Sequence, residues 1–267
     1  MDGASDLRAR ARGSIWEKRR RERAGRLGLD HASSSLCESL DELSNADNYY
    51  RWIASELSEV LHGKVLEVGA GSGTFTRLIA ESADSVDALE PSLDAFNDLQ
   101  TLAEVTSCVN PILGTLPELE VNSRSKYDNA VLVNVLEHIE DDETTLAALG
   151  RLVRPGGQIA VWVPAHEVLY SRFDFEIGHY RRYSRRELRA ITLSVGLDIE
   201  RLSFMNAFGA IAWGAVATVA RGRPTRSRLA TFWDQRIIPI VGRLEKEVSF
   251  PWGQSLLLVA RVSESNR

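Results

Sequence analysis

Cysteine is almost absent from this sequence, which has only Cys37 and Cys108. Two thiols exclude a disulfide framework and a cysteine-built zinc site, and they suit a reducing compartment, so a cytoplasmic location is expected. Long apolar runs are missing too: no stretch reaches the roughly 20 apolar residues that a membrane span requires. The nearest, "FMNAFGAIAWGAVATVA" at 204–220, precedes the basic "RGRPTRSR". That pairing has the character of an interfacial anchor, so a membrane surface is a secondary reading behind a buried helical hairpin. The basic N-terminus lacks the apolar segment of a secretory signal. Strong charge is also missing. A net charge of −5 excludes a polyanion binder as a whole, and no nucleic acid partner is expected. Residues 8–26 alone depart from this, with nine Arg or Lys against two Glu, and read as a flexible basic leader. Nothing in the composition sets an oligomeric state.

What is present is an alternation of apolar runs and amphipathic segments over 267 residues. Residues 39–61 read as helix, with Tyr49, Trp52, Ile53, Leu57, Val60 and Leu61 on one face. Strands are expected at 65–68, 85–90, within 126–135, at 158–165, 198–205 and 254–262. Helices are expected at 74–83, 92–103, 144–153 and 184–195. The last has a capping box, Ser184 with Glu187, and stops at Gly196. "RPGG" at 154–157 reads as a turn that ends a helix. The pattern predicts a doubly wound, mostly parallel α/β sheet.

"VLEVGAGSGTFT" at 65–76 carries the chemistry. Gly69, Gly71 and Gly73 follow a buried strand, where they permit a sharp turn and let a ligand lie against bare peptide. A dinucleotide fold wants G-x-G-x-x-G, but Thr74 stands where its third glycine belongs. Glu67, just before the loop, would repel a pyrophosphate and attract a cation such as an amino-acid ammonium. Glu90 ends the next strand, where a carboxylate can accept from ribose hydroxyls.

"VLEVGAGSGTFT", "ALEPS", "NVLEHIEDD" and "LVRPGGQIAVWVPA" resemble the successive motifs of class I S-adenosylmethionine-dependent methyltransferases. The resemblance covers about 48–165 and, more loosely, the rest. It implies a seven-stranded Rossmann-like sheet with an antiparallel last strand, an N-terminal helical cap and an insertion between the last two strands. It also implies S-adenosylmethionine as cofactor, S-adenosylhomocysteine as product and a small-molecule methyl acceptor as partner. Glu67, Gly69, Ala70, Gly71 and Gly73, with Thr74, Phe75 and Tyr50, would hold the methionine part. Glu90 would take the ribose, with Pro91 and Ser92 beside the adenine. Gly114, Thr115 and Leu116 would close over the adenine, and Asn134 and Val135 would lie below the methionine moiety. Many relatives carry an acidic residue near Gly114; "LGTLPEL" offers Thr115 or a carbonyl instead. The implied domains are a leader at 1–26, a helical cap at 27–62, a cofactor-binding core at 63–203, a helical lid at 204–253, and the last strand and tail at 254–267.

For the acceptor side, "EHIEDD" at 137–142 reads as acidic residues complementing a helix dipole rather than as a metal cluster, and no metal is expected. "DFEIGHYRRYSRRELR" at 174–189 follows the fifth strand, and its "GHYRRY" resembles a feature of a bacterial small-molecule methyltransferase subgroup. Imidazole titrates near neutrality, so His179 first and His138 second are candidate bases for an acceptor proton. Tyr49, Trp52, His166, Tyr180, Arg181, Arg182, Tyr183 and Asn206 are the candidate acceptor contacts. O- or N-methylation of a natural-product, sugar or lipid-linked acceptor is the expected reaction. The alternatives are an NAD-dependent oxidoreductase and a non-catalytic cofactor-binding or membrane-surface module.

Overall fold

A computed structural model describes residues 47–120, 127–209, 233–248 and 250–264. The leader, Cys37, and most of the 204–220 run with its basic follow-on lie outside them.

Seven strands form one sheet in the order β3-β2-β1-β4-β5-β7-β6. They are β1 (Lys64–Val68), β2 (Ser85–Glu90), β3 (Val109–Leu113), β4 (Tyr127–Val133), β5 (Val153–Pro164), β6 (Leu197–Met205) and β7 (Ser255–Val262). All pairings are parallel except those of β7, which runs antiparallel to both β5 and β6. The helices are α1 (Asp47–Glu56), α2 (Thr76–Ile79), α3 (Leu93–Val105), α4 (Leu116–Glu120), α5 (Asp142–Leu152), α6 (Arg172–Glu176), α7 (Arg185–Ser194) and α8 (Ile238–Glu247).

The strands are apolar on both faces because helices cover both. Ile159, Val161 and Val163 of β5 join Leu146, Leu149, Leu152 and Leu188 on one side. Ala160 and Trp162, at the alternate positions, join Trp52, Ile53, Phe75, Ile79 and Leu99 on the other. The period of two along the strand thus feeds two cores. Helix α8, from the segment between β6 and β7, packs on α1. A Cβ on Gly242 would stand 2.9 Å from the Trp52 ring, so the bare backbone permits that approach.

Three elements differ from the sequence expectation. Strand β3 was not anticipated, because Pro111 interrupts a weakly alternating run. Proline is tolerated there because β3 is an edge strand bonded only to β2. Helix α2 has four residues rather than ten; bonds from Leu78 to Phe75 and from Ser82 to Ile79 span three residues, a tighter turn than the α-helix. "RPGG" is part of β5. Tyr127 and Asn129 pair with Val153 and Gln158, so residues 154–157 bulge from the ladder. A Cβ on Gly157 would fall 2.2 Å from the Asp128 carbonyl oxygen, which requires glycine there.

Candidate active site

β1 lies between β2, its successor in the chain, and β4, so the chain order reverses at the β1–β4 pair. The carboxyl ends flanking such a reversal form a natural ligand crevice. The glycine loop leaves β1 there, with φ of 72° at Gly69, 57° at Gly71 and 89° at Gly73. A Cβ on Gly69 would lie 2.5 Å from Val135, and one on Gly73 would lie 2.7 Å from Leu102. These two glycines serve packing. Gly71 alone has open space where its Cβ would be.

Side chains fix the loop's shape. The amides of Gly69 and Ala70 donate to the Leu89 carbonyl at 2.8 and 3.1 Å. Glu90 accepts from Gly71 N–H through one carboxylate oxygen and from Ser92 N–H through the other, both at 2.8 Å. Glu67 is 3% exposed and accepts from the Thr76 hydroxyl at 2.6 Å. Burial pushes its carboxyl up to about 8; the Thr76 hydrogen bond opposes this and the Glu90 charge adds to it. With no cation beside it, this wall of the crevice is therefore largely protonated at neutral pH.

Beyond β2, Gly114 N–H donates to the Glu90 carbonyl. An acidic side chain does reach this turn: Glu118 accepts from Thr115 N–H at 2.7 Å and from its hydroxyl at 2.8 Å. These bonds hold the Glu118 carboxyl below its usual range. The T-x-x-E spacing of a capping box was its legible signal.

Past β4, Asn134 takes φ 54°, and a 3-10 turn at Leu136–His138 follows. Asp141 caps α5 by accepting from Thr144 N–H, with Asp142 and Glu143 in the first turn, as the dipole argument expects. Glu137 does not belong to that set. It is 0% exposed, and among the described residues neither carboxylate oxygen has a hydrogen-bond partner. Burial raises its carboxyl to about 7, opposed chiefly by the charge of His179.

His179 arrives from the 171–183 segment, which is laced to this turn. Tyr180 N–H donates to the Glu137 carbonyl, and the Tyr183 hydroxyl donates to Asp142 at 3.0 Å and to the Leu136 carbonyl at 3.3 Å. Ser171 and Asp174 make a capping box on α6. The buried Asp174 also accepts from His179 Nδ1 at 3.0 Å and from Arg182 at 2.8 Å. Burial alone would raise the Asp174 carboxyl, but these partners outweigh it and bring it to about 2. Asp174 thus fixes the His179 ring through Nδ1, and Nε2 faces Glu137 at 3.8 Å. The rings of His138 and His179 meet edge to face, 4.5 Å apart. Burial, then the charge of His179, lowers the His138 imidazole to about 3.

The structure thus gathers His138 and His179 around Glu137, and Val135 against the glycine loop. Tyr50 lies against Phe75, ring centroids 6.1 Å apart. The Tyr49 hydroxyl accepts from Trp162 Nε1 at 2.9 Å. Much of the expected acceptor set faces inward instead. Trp52 is a core residue against Trp162. Arg181 is 2% exposed and donates to Asp142 and the Glu140 carbonyl. Arg182 serves Asp174, and Tyr183 is buried. Asn206 bonds Gly209 N–H and Gln254. His166, half-buried at φ 62°, stacks on Phe204. The polar groups of Arg181, Arg182, Tyr183 and Asn206 are thus spent on bracing the fold.

The family model described as "Methyltransferase domain" matches residues 31–202. The chain belongs to this methyltransferase family. Its members of this fold are class I S-adenosylmethionine-dependent enzymes, which sets aside the NAD reading. A ubiquinone biosynthesis O-methyltransferase from Saccharophagus degradans is 32% identical over 106 residues, 39% of this chain and 44% of that protein. One from Erwinia tasmaniensis is 28% identical over 40% of this chain and 45% of that protein. The matches therefore span less than half the length of these relatives. In fold, the chain is similar to 1,6-didemethyltoxoflavin-N1-methyltransferase from Burkholderia thailandensis. There the TM-score is 0.58 at 18% identity, covering 86% of this chain and 85% of that one. It is also similar to a Haloferax volcanii structure of the Trm112 activator with a methyltransferase. That match has a TM-score of 0.60 at 16% identity, covering 84% of this chain and 94% of that one.

S-adenosylmethionine is the cofactor of this methyltransferase family, and the crevice suits it. Open space over the Gly71 backbone leaves room for a ligand. The buried Glu67 suits an ammonium, and Glu90 suits a diol. A pyrophosphate would find carboxylates on both sides.

Proposed function

We propose that the protein transfers the methyl group of S-adenosylmethionine to an oxygen or nitrogen of a small-molecule acceptor. The observation that carries this is the contact between the loop after β1 and the segment after β4. Val135 packs on Gly69, and two residues later the Glu137–His138–His179 cluster begins. When bound, the cofactor supplies an electrophilic methyl group on a sulfonium. Glu67 and the glycine loop hold its amino-acid end, Glu90 its ribose, and the 114–116 turn its adenine. The acceptor lies toward the histidines, with His179 rather than the low-lying His138 governing its proton, and holding it in line can supply roughly 7–11 kcal/mol of the barrier. Helix α1, with Tyr50 against Phe75, and helix α8 packed on it through Gly242 form the cap on the glycine-loop side. The names of the curated relatives favour oxygen as the accepting atom, whereas the Burkholderia thailandensis fold relative is named for methylation at nitrogen.

The test is labelled S-adenosylmethionine with extracts of the source organism, followed by identification of the labelled product. A labelled small molecule is expected, and His179→Gln should slow its formation by roughly 10²–10⁴. Binding of S-adenosylhomocysteine with no labelled product in any extract would favour a non-catalytic module.

A further inference from the structure

We propose that Glu137, His138 and His179 bind a divalent first-row transition-metal ion, with open coordination positions for an acceptor hydroxyl. The inference deepens the methyltransferase reading and rests on it for the acceptor's role. One ligand atom from each residue lies within 4.8 Å of the other two. Donors that share one ion at about 2.0–2.2 Å stand roughly 3–4 Å apart, so modest side-chain rotation would draw these three together around it.

Three observations carry the site beyond proximity. Glu137 is fully buried, and among the described residues neither carboxylate oxygen has a hydrogen-bond partner, its one ion-pair contact being His179 Nε2 at 3.8 Å. Buried polar groups are almost always satisfied, and an orphaned carboxylate calls for a cation. His179 Nδ1 lies 3.0 Å from the buried Asp174, which fixes the ring and turns Nε2 toward Glu137. This carboxylate–histidine arrangement is the one that orients imidazole ligands in metal sites. Asp174 is itself bonded to Arg182 and Ser171, so the support is complete without the ion. His138, half-buried, brings a second imidazole edge-on to the first. Two imidazoles and one carboxylate suit Zn²⁺, Mn²⁺, Fe²⁺ or Co²⁺ better than Mg²⁺ or Ca²⁺, and a three-residue set leaves positions open.

In this arrangement an acceptor hydroxyl beside the ion loses its proton to solvent more readily, so a neutral-pH proton acceptor of its own is not required. His179 then acts through its lone pair on the ion rather than as a free base.

The experiment uses the full chain without a histidine tag, stripped with chelator and checked for S-adenosylhomocysteine binding. Zn²⁺ titration by calorimetry should show one equivalent bound, and Co²⁺ should give visible d–d absorption that Zn²⁺ displaces. Glu137→Gln and His138→Asn, each folded by circular dichroism, should weaken Zn²⁺ binding by at least ten- to a hundredfold. If Glu137→Gln does not fold, His138→Asn decides alone. Stripped protein that binds S-adenosylhomocysteine but takes up no Zn²⁺ or Co²⁺ overturns the proposal and leaves the methyltransferase reading intact. So does uptake that the variants leave unchanged. Metal uptake without S-adenosylhomocysteine binding would support the site and sink the methyltransferase reading instead.

Discussion

With Glu67 against the cofactor's ammonium, as proposed above, cofactor binding should release a proton. Burial holds its carboxyl at about 8 against an ordinary value near 4.5. At pH 7 such a group is about nine-tenths protonated. An ammonium placed against it favours the ionised form, so binding near pH 7 should expel most of one proton. Affinity for S-adenosylhomocysteine should then rise by roughly thirtyfold between pH 5.5 and 7, and level off above the folded value. The same shift bears on stability. A carboxyl raised on folding stabilises the cofactor-free protein below its unfolded value, and that contribution is lost as pH rises through about 8. Its amplitude is at most about 5 kcal/mol. Calorimetric titration in buffers of different ionisation enthalpy counts the protons, and urea unfolding at pH 5 and 9 reads the stability. Glu67→Gln should bind weakly, release no proton and unfold with a flatter pH profile. Wild-type affinity that is constant from pH 5.5 to 7, with no proton released, would refute the reasoning.

Other substitutions separate packing from binding. Gly71→Ala meets open space and should cost only about 1–2 kcal/mol for its left-handed backbone while weakening S-adenosylhomocysteine binding. Gly69→Ala drives a methyl into Val135 and should cost more by thermal unfolding; equal losses would contradict the assigned roles. Ser184→Ala removes the α7 cap and should cost roughly 0.5–2 kcal/mol, leaving cofactor affinity unchanged. Asp174→Ala strands the buried Arg182 and should cost roughly 3–5 kcal/mol in denaturant unfolding; Asp174→Asn, which keeps the volume and one acceptor, should cost less.

The parts legible in the sequence are those encoded locally. The apolar runs of β1, β2, β4 and β5 declare themselves, as do the α7 capping box and Gly196. Alternating glycines after β1, with Glu67 and Glu90 in register, mark the cofactor crevice without any tertiary information. What was not legible depends on partners far away in the chain. Arg181 and Arg182 read as acceptor contacts until the fold brings Asp142 and Asp174 beside them. Glu137 sits in an acidic run whose later members do complement a helix dipole. Only the fold shows that it turns the other way, into the protein and toward His179. Strand β3 escaped notice because an edge strand tolerates the proline and the weak alternation that argue against a central one.

The first turn of α1 cannot satisfy its own amides. Asp234, from the stretch preceding α8, accepts from Asn48 N–H and Tyr49 N–H and from the Asn48 side chain. One carboxylate thus staples the first turn of α1 to a segment almost two hundred residues later. If that segment shapes the acceptor side, as expected of a lid, and Tyr50 the cofactor side, exchanging it without its matching helix should disturb both pockets at once.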